Sequence, residues 1–402
     1  MQEPHHVLVV TYWSFQDALI QTYTLPYLKI MAGKLPPGST IYLVTLDKAP
    51  LAQQELSQWN IVNVSLQYRP FGLKGMLMWA GALLGLVKLI RRKQVRTIHT
   101  WCTPAGMIGY ILSVLTRRRL IIDSFEPHAE PMAEGNTWKR TGLAFRLLFY
   151  FEKRQLKRAS EVICAVQGMI PYSQRTYGIS KKRYFVKPAC VDLGLFSWSN
   201  VKKPELVADL QLENTISCVY AGKFGGLYLE AETFAFFKAA YDHWGEAFRV
   251  LLLTNHSDSE IAAYSREAGL PSSVIIKRFV PHSEVADYIG AADFAICPMK
   301  PLPSRRYGTP IKNGEYWALG LPVVVTAGIS DDSDIIAANG IGSVLTPLTP
   351  EGYRCSVLEI DRFLQSGTRA EHYARIRPIA ERYRHFRIAD AVYTQIYGTH
   401  ES

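Results

Sequence analysis

The sequence predicts an α/β protein of two parallel-sheet domains, and three observations carry that expectation. The chain has 402 residues, too many for one ordinary core, since domains mostly hold about 100 to 200. Short apolar or β-branched runs alternate with longer stretches of helical period, the order of a parallel sheet covered on both faces. That alternation breaks off near the middle and then begins again.

In the first half, "HVLVVTY" (6–12) and "STIYLVTL" (39–46) read as strands, with the helical "DALIQTYTLPYLKIMAGK" between them. "GMLMWAGALLGLVKLIRRK" (75–93) reads as a helix that is uncharged from Gly75 to Val87. That stretch falls short of the ~20 residues that span a bilayer. It suits a helix packed on a sheet, or one resting an apolar side among lipid headgroups. "VRTIHTW" (95–101), "RLIIDSF" (119–125) and "EVICAV" (161–166) follow as strands. Residues 186–214 are polar, contain prolines and lack a period, so a linker is placed at 196–213 between domains at 1–195 and 214–383. Five more strands then appear: "ISCVYAG" (216–222), "FRVLLLT" (248–254), "SVIIKRF" (273–279), "DFAICP" (293–298) and "LPVVVT" (321–326). The last segment, 384–402, contains the amphipathic "RHFRIADAVYTQIY" and is expected to pack towards the first domain.

Charge is divided unequally. Residues 1–200 hold 25 Lys and Arg against 11 Asp and Glu, whereas residues 201–402 hold 20 against 24. The basic excess fits a solvated surface, an anionic membrane surface or nucleic acid, but no zinc-finger, RRM or helix-turn-helix pattern accompanies it. The six cysteines include no CxxC pair and have mostly apolar neighbours, which points to buried thiols in a reducing cytoplasm. The start, "MQEPHHVLVVTYW", lacks the basic and apolar regions of a secretion signal.

The chemistry concentrates in "YGTPIKNGEYWALGLPVVV" (307–325). Thr309 suits an N-cap, Pro310 the first helical position, and Gly320 with Leu321-Pro322 a stop. The N–H groups and positive dipole end at Thr309, Pro310 and Ile311 favour an anion such as phosphate, and Gly314 leaves room for a ligand. Lys312 adds a full charge. Glu315, three residues on, can accept two hydrogen bonds from a ribose diol. The plainer alternative is a solvated i,i+3 ion pair between the two.

These residues resemble the donor-nucleotide motif of GT-B-fold glycosyltransferases, particularly the retaining glycosyltransferase family 4, whose pattern "PxKxxEYxAxGxPVV" they match. "VKPACVDLGLF" (186–196), "CVYAGKFG" (218–225) and "FVPHSEVADYIGAADFAICP" (279–298) are similar to further family segments, in the family's order. The resemblance implies two Rossmann-like domains facing each other across a cleft, with acceptor bound by the first and nucleotide sugar by the second. It implies that Glu315 holds the ribose and that Lys223 contacts the diphosphate. The backbone of Gly222, Lys223, Phe224 and Gly225 would lie close to that phosphate, and Val280 would flank the base. In the first domain the loop after "IIDSF" carries Glu126 and His128, where the resemblance implies a histidine facing donor sugar and acceptor; His128, Glu126 and Lys223 are the candidate catalytic residues.

Two departures stand out. Tyr307 occupies the position of the family's first paired glutamate, and "GGLYLEAE" (225–232) lacks the family's phosphate-binding lysine, a charge that Lys312, Arg305 or Arg306 would have to replace. The function expected is glycosyl transfer with retention from a nucleoside-diphosphate sugar to a glycan or lipid-linked acceptor, in polysaccharide or glycolipid biosynthesis. No cofactor or metal is expected, since Asp331-Asp332 reads as a turn or helix cap. The setting expected is cytoplasmic, at the inner face of a membrane. A nucleotide-sugar epimerase of the same fold, a degenerate sugar-nucleotide-binding protein and a basic nucleic-acid binder remain the alternatives.

Overall fold

A computed structural model describes residues 3–17, 19–48, 56–68 and 73–398, with side chains from residue 81 in the last span. The chain forms two compact units, Met1–Pro188 with Arg387–Ser402, and Ala189–Phe386.

The first unit is built on a seven-stranded sheet: β1 (Val7–Val10), β2 (Ile41–Asp47), β3 (Ile61–Gln67), β4 (Thr97–Trp101), β5 (Arg119–Phe125), β6 (Glu161–Cys164) and β7 (Arg183–Val186). Every pairing is parallel, in the order β3-β2-β1-β4-β5-β6-β7. β1, β2, β4 and β6 are buried along their whole length, as continuous β-branched and apolar runs between two helical layers require. The second unit repeats the plan with β8 (Ile216–Ala221), β9 (Phe248–Leu253), β10 (Ile275–Arg278), β11 (Phe294–Cys297), β12 (Val323–Thr326) and β13 (Gly342–Leu345), ordered β10-β9-β8-β11-β12-β13. Val250 and Leu252 pack into one apolar cluster while Leu251 packs into another, because successive strand side chains point to opposite faces. Each sheet reverses its order beside its first strand, at β1/β4 and at β8/β11. Ligands of open α/β sheets bind outside the strand carboxyl ends at that point.

Three strands escape the sequence reading: β3, β7 and β13. All three lie at sheet edges, where residues such as Asn63, Ser65, Arg183 and Ser343 dilute the apolar signal.

The unit boundaries differ from those expected. Residues 196–213, read as a linker, are part of the second unit, where Phe196, Leu210 and Leu212 are buried. Asn200 donates to Asp287 at 2.7 Å, and Lys202 and Lys203 pair with Asp293 and Asp287, each at 2.7 Å. The final helix is Arg387–Tyr397, in the first unit. Its expected start at 384 is early by three residues, because Arg384 is buried in an ion pair with Asp332 of the second unit and its carbonyl accepts from Val191 N at 2.7 Å. The helix 387–397 is fixed by Tyr393, which donates to the buried Asp123 at 2.7 Å, and by Tyr397, 2.8 Å from His99 Nδ1. The cysteines are all free, five of them buried and Cys355 exposed.

Candidate functional site

In the second unit the loop after β8 is shaped by its glycines. Gly222 holds φ +143°, a conformation that other residues rarely adopt, and the side chain of Lys312 lies against it. A Cβ at Gly222 would fall 2.7 Å from Lys312 Cε and 2.9 Å from Nζ. Glycine here lets that ammonium reach the loop. The loop then doubles back: Gly225 N donates to Tyr228 O at 3.2 Å and Tyr228 N to Gly225 O at 3.0 Å. Leu229 N donates to Pro298 O at 2.8 Å and Lys300 N to Leu227 O at 2.9 Å, which fastens the loop to the chain leaving β11. Phe224 is buried, stacks on Tyr220 at 4.6 Å, and its N–H donates to His256 Nε2 at 2.9 Å. Lys223 is exposed; its carbonyl accepts from Tyr220 Oη at 2.6 Å, while its ammonium makes no hydrogen bond or ion pair to a described residue.

The helix that follows β11 runs Ile311–Ala318. Its N-cap is the buried Pro310, with half-buried Thr309 one place earlier, so the expected cap at Thr309 is one residue off. Proline at the cap leaves the first N–H groups of the helix without a side-chain acceptor from that position. Tyr316 Oη accepts from Ala221 N at 3.1 Å, tying this helix to the end of β8. Lys312 donates to Tyr228 Oη at 2.8 Å and lies 4.0 Å from that ring. Burial pushes its pKa down, but Tyr228, Cys297 and Glu315 outweigh burial and leave it raised.

Lys312 and Glu315 do not form the i,i+3 ion pair that their spacing allows. Glu315 is half-buried, and its carboxylate makes neither hydrogen bond nor ion pair to a described residue. Burial pushes its pKa up to about 7, with Lys312 pulling the other way. Gly314 faces the protein: a Cβ there would meet Val191 Cγ2 at 2.7 Å, so its small size serves packing and leaves no room for a ligand. Asp332 begins the helix Asp332–Asn339, where it is buried, pairs with Arg384 and accepts from Asn313 at 2.7 Å. Arg306 is paired with Asp334 at 2.9 Å on the surface. Val280 follows the edge strand β10, two places and about 10 Å across the sheet from β8. The structure thus brings Gly222, Tyr228 and Lys312 together and ties Phe224 to His256.

In the first unit Glu126 and His128 are half-buried on the loop after β5. Ser124, the second-last residue of β5, holds φ +51°, and Cys102, the first residue after β4, holds φ +64°. Two strained residues at adjacent strand ends mark this edge of the sheet. The loop is held by a residue that sequence reasoning missed. Glu152 is buried, and its Oε1 accepts from the N–H groups of His128 at 2.8 Å and Ala129 at 2.9 Å, while Tyr177 donates to Oε2 at 3.0 Å. It caps the helix Ala129–Glu134 from a distance. His128 Nδ1 is 3.0 Å from Glu126 O. Tyr228, His256 and Tyr316 were given no role by the sequence reading, although Tyr316 is the tyrosine of the motif beside Glu315 and Tyr228 lies near the glycines; nothing in the sequence marks His256.

Residues 219–359 match the family model described as Glycosyl transferases group 1. No curated protein matches the sequence. Among solved structures, sucrose-phosphate synthase from Thermosynechococcus elongatus is similar with a TM-score of 0.74 at 15% identity, over 98% of both chains. WaaG, a glycosyltransferase involved in lipopolysaccharide biosynthesis, gives 0.72 at 13%, over 98% of this chain and 100% of its own. Anabaena HepE in complex with UDP-glucose gives 0.68 at 16%, over 97% and 98%. The family model thus lies on the second unit, where residues 219–359 match glycosyl transferases group 1, and the two-domain fold of these solved structures runs nearly the whole length of the chain.

Proposed function

We propose that the protein moves a sugar from a nucleoside-diphosphate sugar, bound by the second unit, to a glycan or lipid-linked acceptor bound by the first. The observation that carries this is Glu315, a half-buried carboxylate with no partner among the described residues, one helical turn from an ammonium seated on a glycine loop. A carboxylate so placed is left uncommitted by the described residues and can accept from a ligand, and a ribose diol supplies two donors. HepE, similar in fold and solved in complex with UDP-glucose, supports the same ligand class.

The chemical demand is to stabilise the leaving diphosphate while the sugar carbon becomes cationic. Lys312, Lys223 and the N–H groups at the start of helix 311–318 offer positive potential fixed before the reaction begins. Lys312 also stands in for the missing family lysine, since its ammonium reaches the loop where that charge is expected. By the same resemblance, that of family 4, the anomeric configuration is retained through attack on the face the diphosphate leaves. His128 then orients groups, its backbone held by Glu152. The setting proposed is the cytoplasmic face of a membrane, in polysaccharide or glycolipid synthesis.

The test is thermal stabilisation by a panel of UDP-, GDP- and ADP-linked sugars, repeated with Glu315→Ala. One sugar nucleotide should stabilise the native chain, and the variant should fold but lose most of that response. No response to any donor, or an unchanged one in the variant, would remove the reading. Tyr307 favours a second reading, a protein that binds donor without transferring it. Binding with no glycosylated product across an acceptor panel would select it.

A further inference from the structure

Three helices of the first unit, Leu73–Arg92, Cys102–Thr116 and Leu143–Arg158, pack side by side, the first on the second and the second on the third. Their outer surface is unusual in two respects. Large apolar side chains stand in solvent: Leu143 is 81% exposed and Leu84 71%, with Val114, Leu115, Leu147 and Tyr150 at about half. Leu143, Leu147 and Tyr150 recur at i, i+4 and i+7, so they form one stripe along their helix. The second respect is charge. Residues 56–122 contain ten Lys and Arg and no Asp or Glu, and the only acid in helix 143–158, Glu152, is buried inward. Lys88, Arg91, Arg92, Arg146, Lys153 and Arg154 are exposed beside the apolar groups.

We infer that this three-helix face is a docking surface for an anionic lipid bilayer. This deepens the membrane setting proposed above by naming the face, and it does not depend on which donor is bound. A solvated surface of a monomer keeps both signs of charge and few large apolar groups. Here acids are missing from the outer side of all three helices while leucines project, the combination that attracts negative headgroups and then buries apolar side chains at their boundary. No described helix is long and apolar enough to cross a membrane, so the contact is with one leaflet. A nucleic acid would use the positive charge but gains nothing from the leucine stripe.

Co-sedimentation with phosphatidylcholine vesicles, with and without phosphatidylglycerol, tests it. The full chain should bind the anionic vesicles, at least tenfold more weakly as salt rises from about 0.05 to roughly 0.5 M. The double variant L143S/L147S, which keeps every charge, should bind about tenfold more weakly than the native chain at low salt. Absence of binding to anionic vesicles, or an unchanged affinity in the double variant, would overturn the inference, as would binding to duplex DNA in its place. Donor-induced stabilisation measured on the same samples should not change with L143S/L147S, which keeps a failure here distinct from a failure of the donor reading.

Discussion

Two carboxylates, Glu152 in the first unit and Glu315 in the second, are both pushed up to about 7 by burial, and there the likeness ends. Glu152 is fully buried and accepts three hydrogen bonds from its own chain. Glu315 is half-buried, and its carboxylate accepts none from a described residue. The contrast extends to the ammonium groups. Lys187 is entirely buried, 3.1 Å from Asp123 and enclosed by Tyr27 at 3.8 Å and Trp101 at 4.9 Å, whereas Lys312 is half-buried, has one neutral hydrogen-bond partner, Tyr228, and rests on a glycine loop. At the strand ends of the first unit, charges are neutralised by one another and hold the backbone in place. In the second, Lys312 and the Glu315 carboxylate have no oppositely charged hydrogen-bond partner among the described residues. A charged residue beyond a parallel strand therefore indicates a ligand only after its protein partners have been counted.

The largest expected effect breaks the first half of that contrast. Lys187→Met keeps the apolar contacts with Tyr27 and Trp101 but leaves Asp123 buried without its cation, a change that costs about 3–5 kcal/mol. Burial alone would raise the Asp123 pKa; Lys187, His99 and Tyr393 outweigh it and lower it to about 2. A folded pKa below the ordinary 3.8 contributes stability that is present above about pH 4 and is lost as pH falls towards 2. Urea unfolding of the native chain and of Lys187→Met at about pH 7 and pH 3 should therefore show a gap that narrows in acid. A variant as stable as the native chain near neutrality would mean that the network is ornamental, and the contrast with Lys312 would fail.

A smaller effect is expected on the open side. Lys312→Ala removes one ammonium from the glycine loop, and charge-assisted contacts are worth about 1.5–3 kcal/mol each. Donor affinity should drop roughly tenfold to a hundredfold, while stability without donor changes little because, among the described residues, the side-chain bond lost is to the neutral Tyr228. Calorimetric titration with the stabilising sugar nucleotide measures the first, and thermal melting the second. A large loss of stability with unchanged affinity would place Lys312 among the scaffold charges, beside Lys187.

What is legible in the sequence follows the same division. Lys312 and Glu315 draw notice by their spacing within one short helical motif, whereas Gly222, Lys223, Phe224 and Gly225 enter only through the resemblance to a known family. The bond from Lys312 to Tyr228 joins positions 84 apart, and that from Tyr393 to Asp123 positions 270 apart. No local pattern encodes such a meeting. Lys187 lies within a family-like segment and Asp123 within a strand, yet nothing in either stretch suggests that they pair. The central strands are legible because burial on both faces makes them continuously apolar, while of the four edge strands only β10 is, since β3, β7 and β13 carry polar residues such as Asn63, Arg183 and Ser343. Gly314 misleads for a related reason: a glycine beside a motif lysine invites a ligand, but only packing shows that Val191 and Arg384 occupy the space.

The smallest effect tests whether Glu152 is purely a scaffold group. With its folded pKa at about 7, above the ordinary 4.5, the folded chain keeps a proton that the unfolded chain releases first. Stability must then fall as pH rises from about 4.5 to 7 and level off above. Glu152→Gln removes the titration while its amide oxygen can still accept from the N–H groups of His128 and Ala129, so at about pH 5 its stability should lie within about 1 kcal/mol of the native value. Through the same window the variant should lose part of the downward slope. Donor affinity should not move, because Glu152 serves the loop of the first unit and bonds to no group of the glycine loop. If instead Glu152→Gln weakens donor binding while leaving the slope as it was, the carboxylate is not the closed counterpart of Glu315, and both residues belong to ligand chemistry.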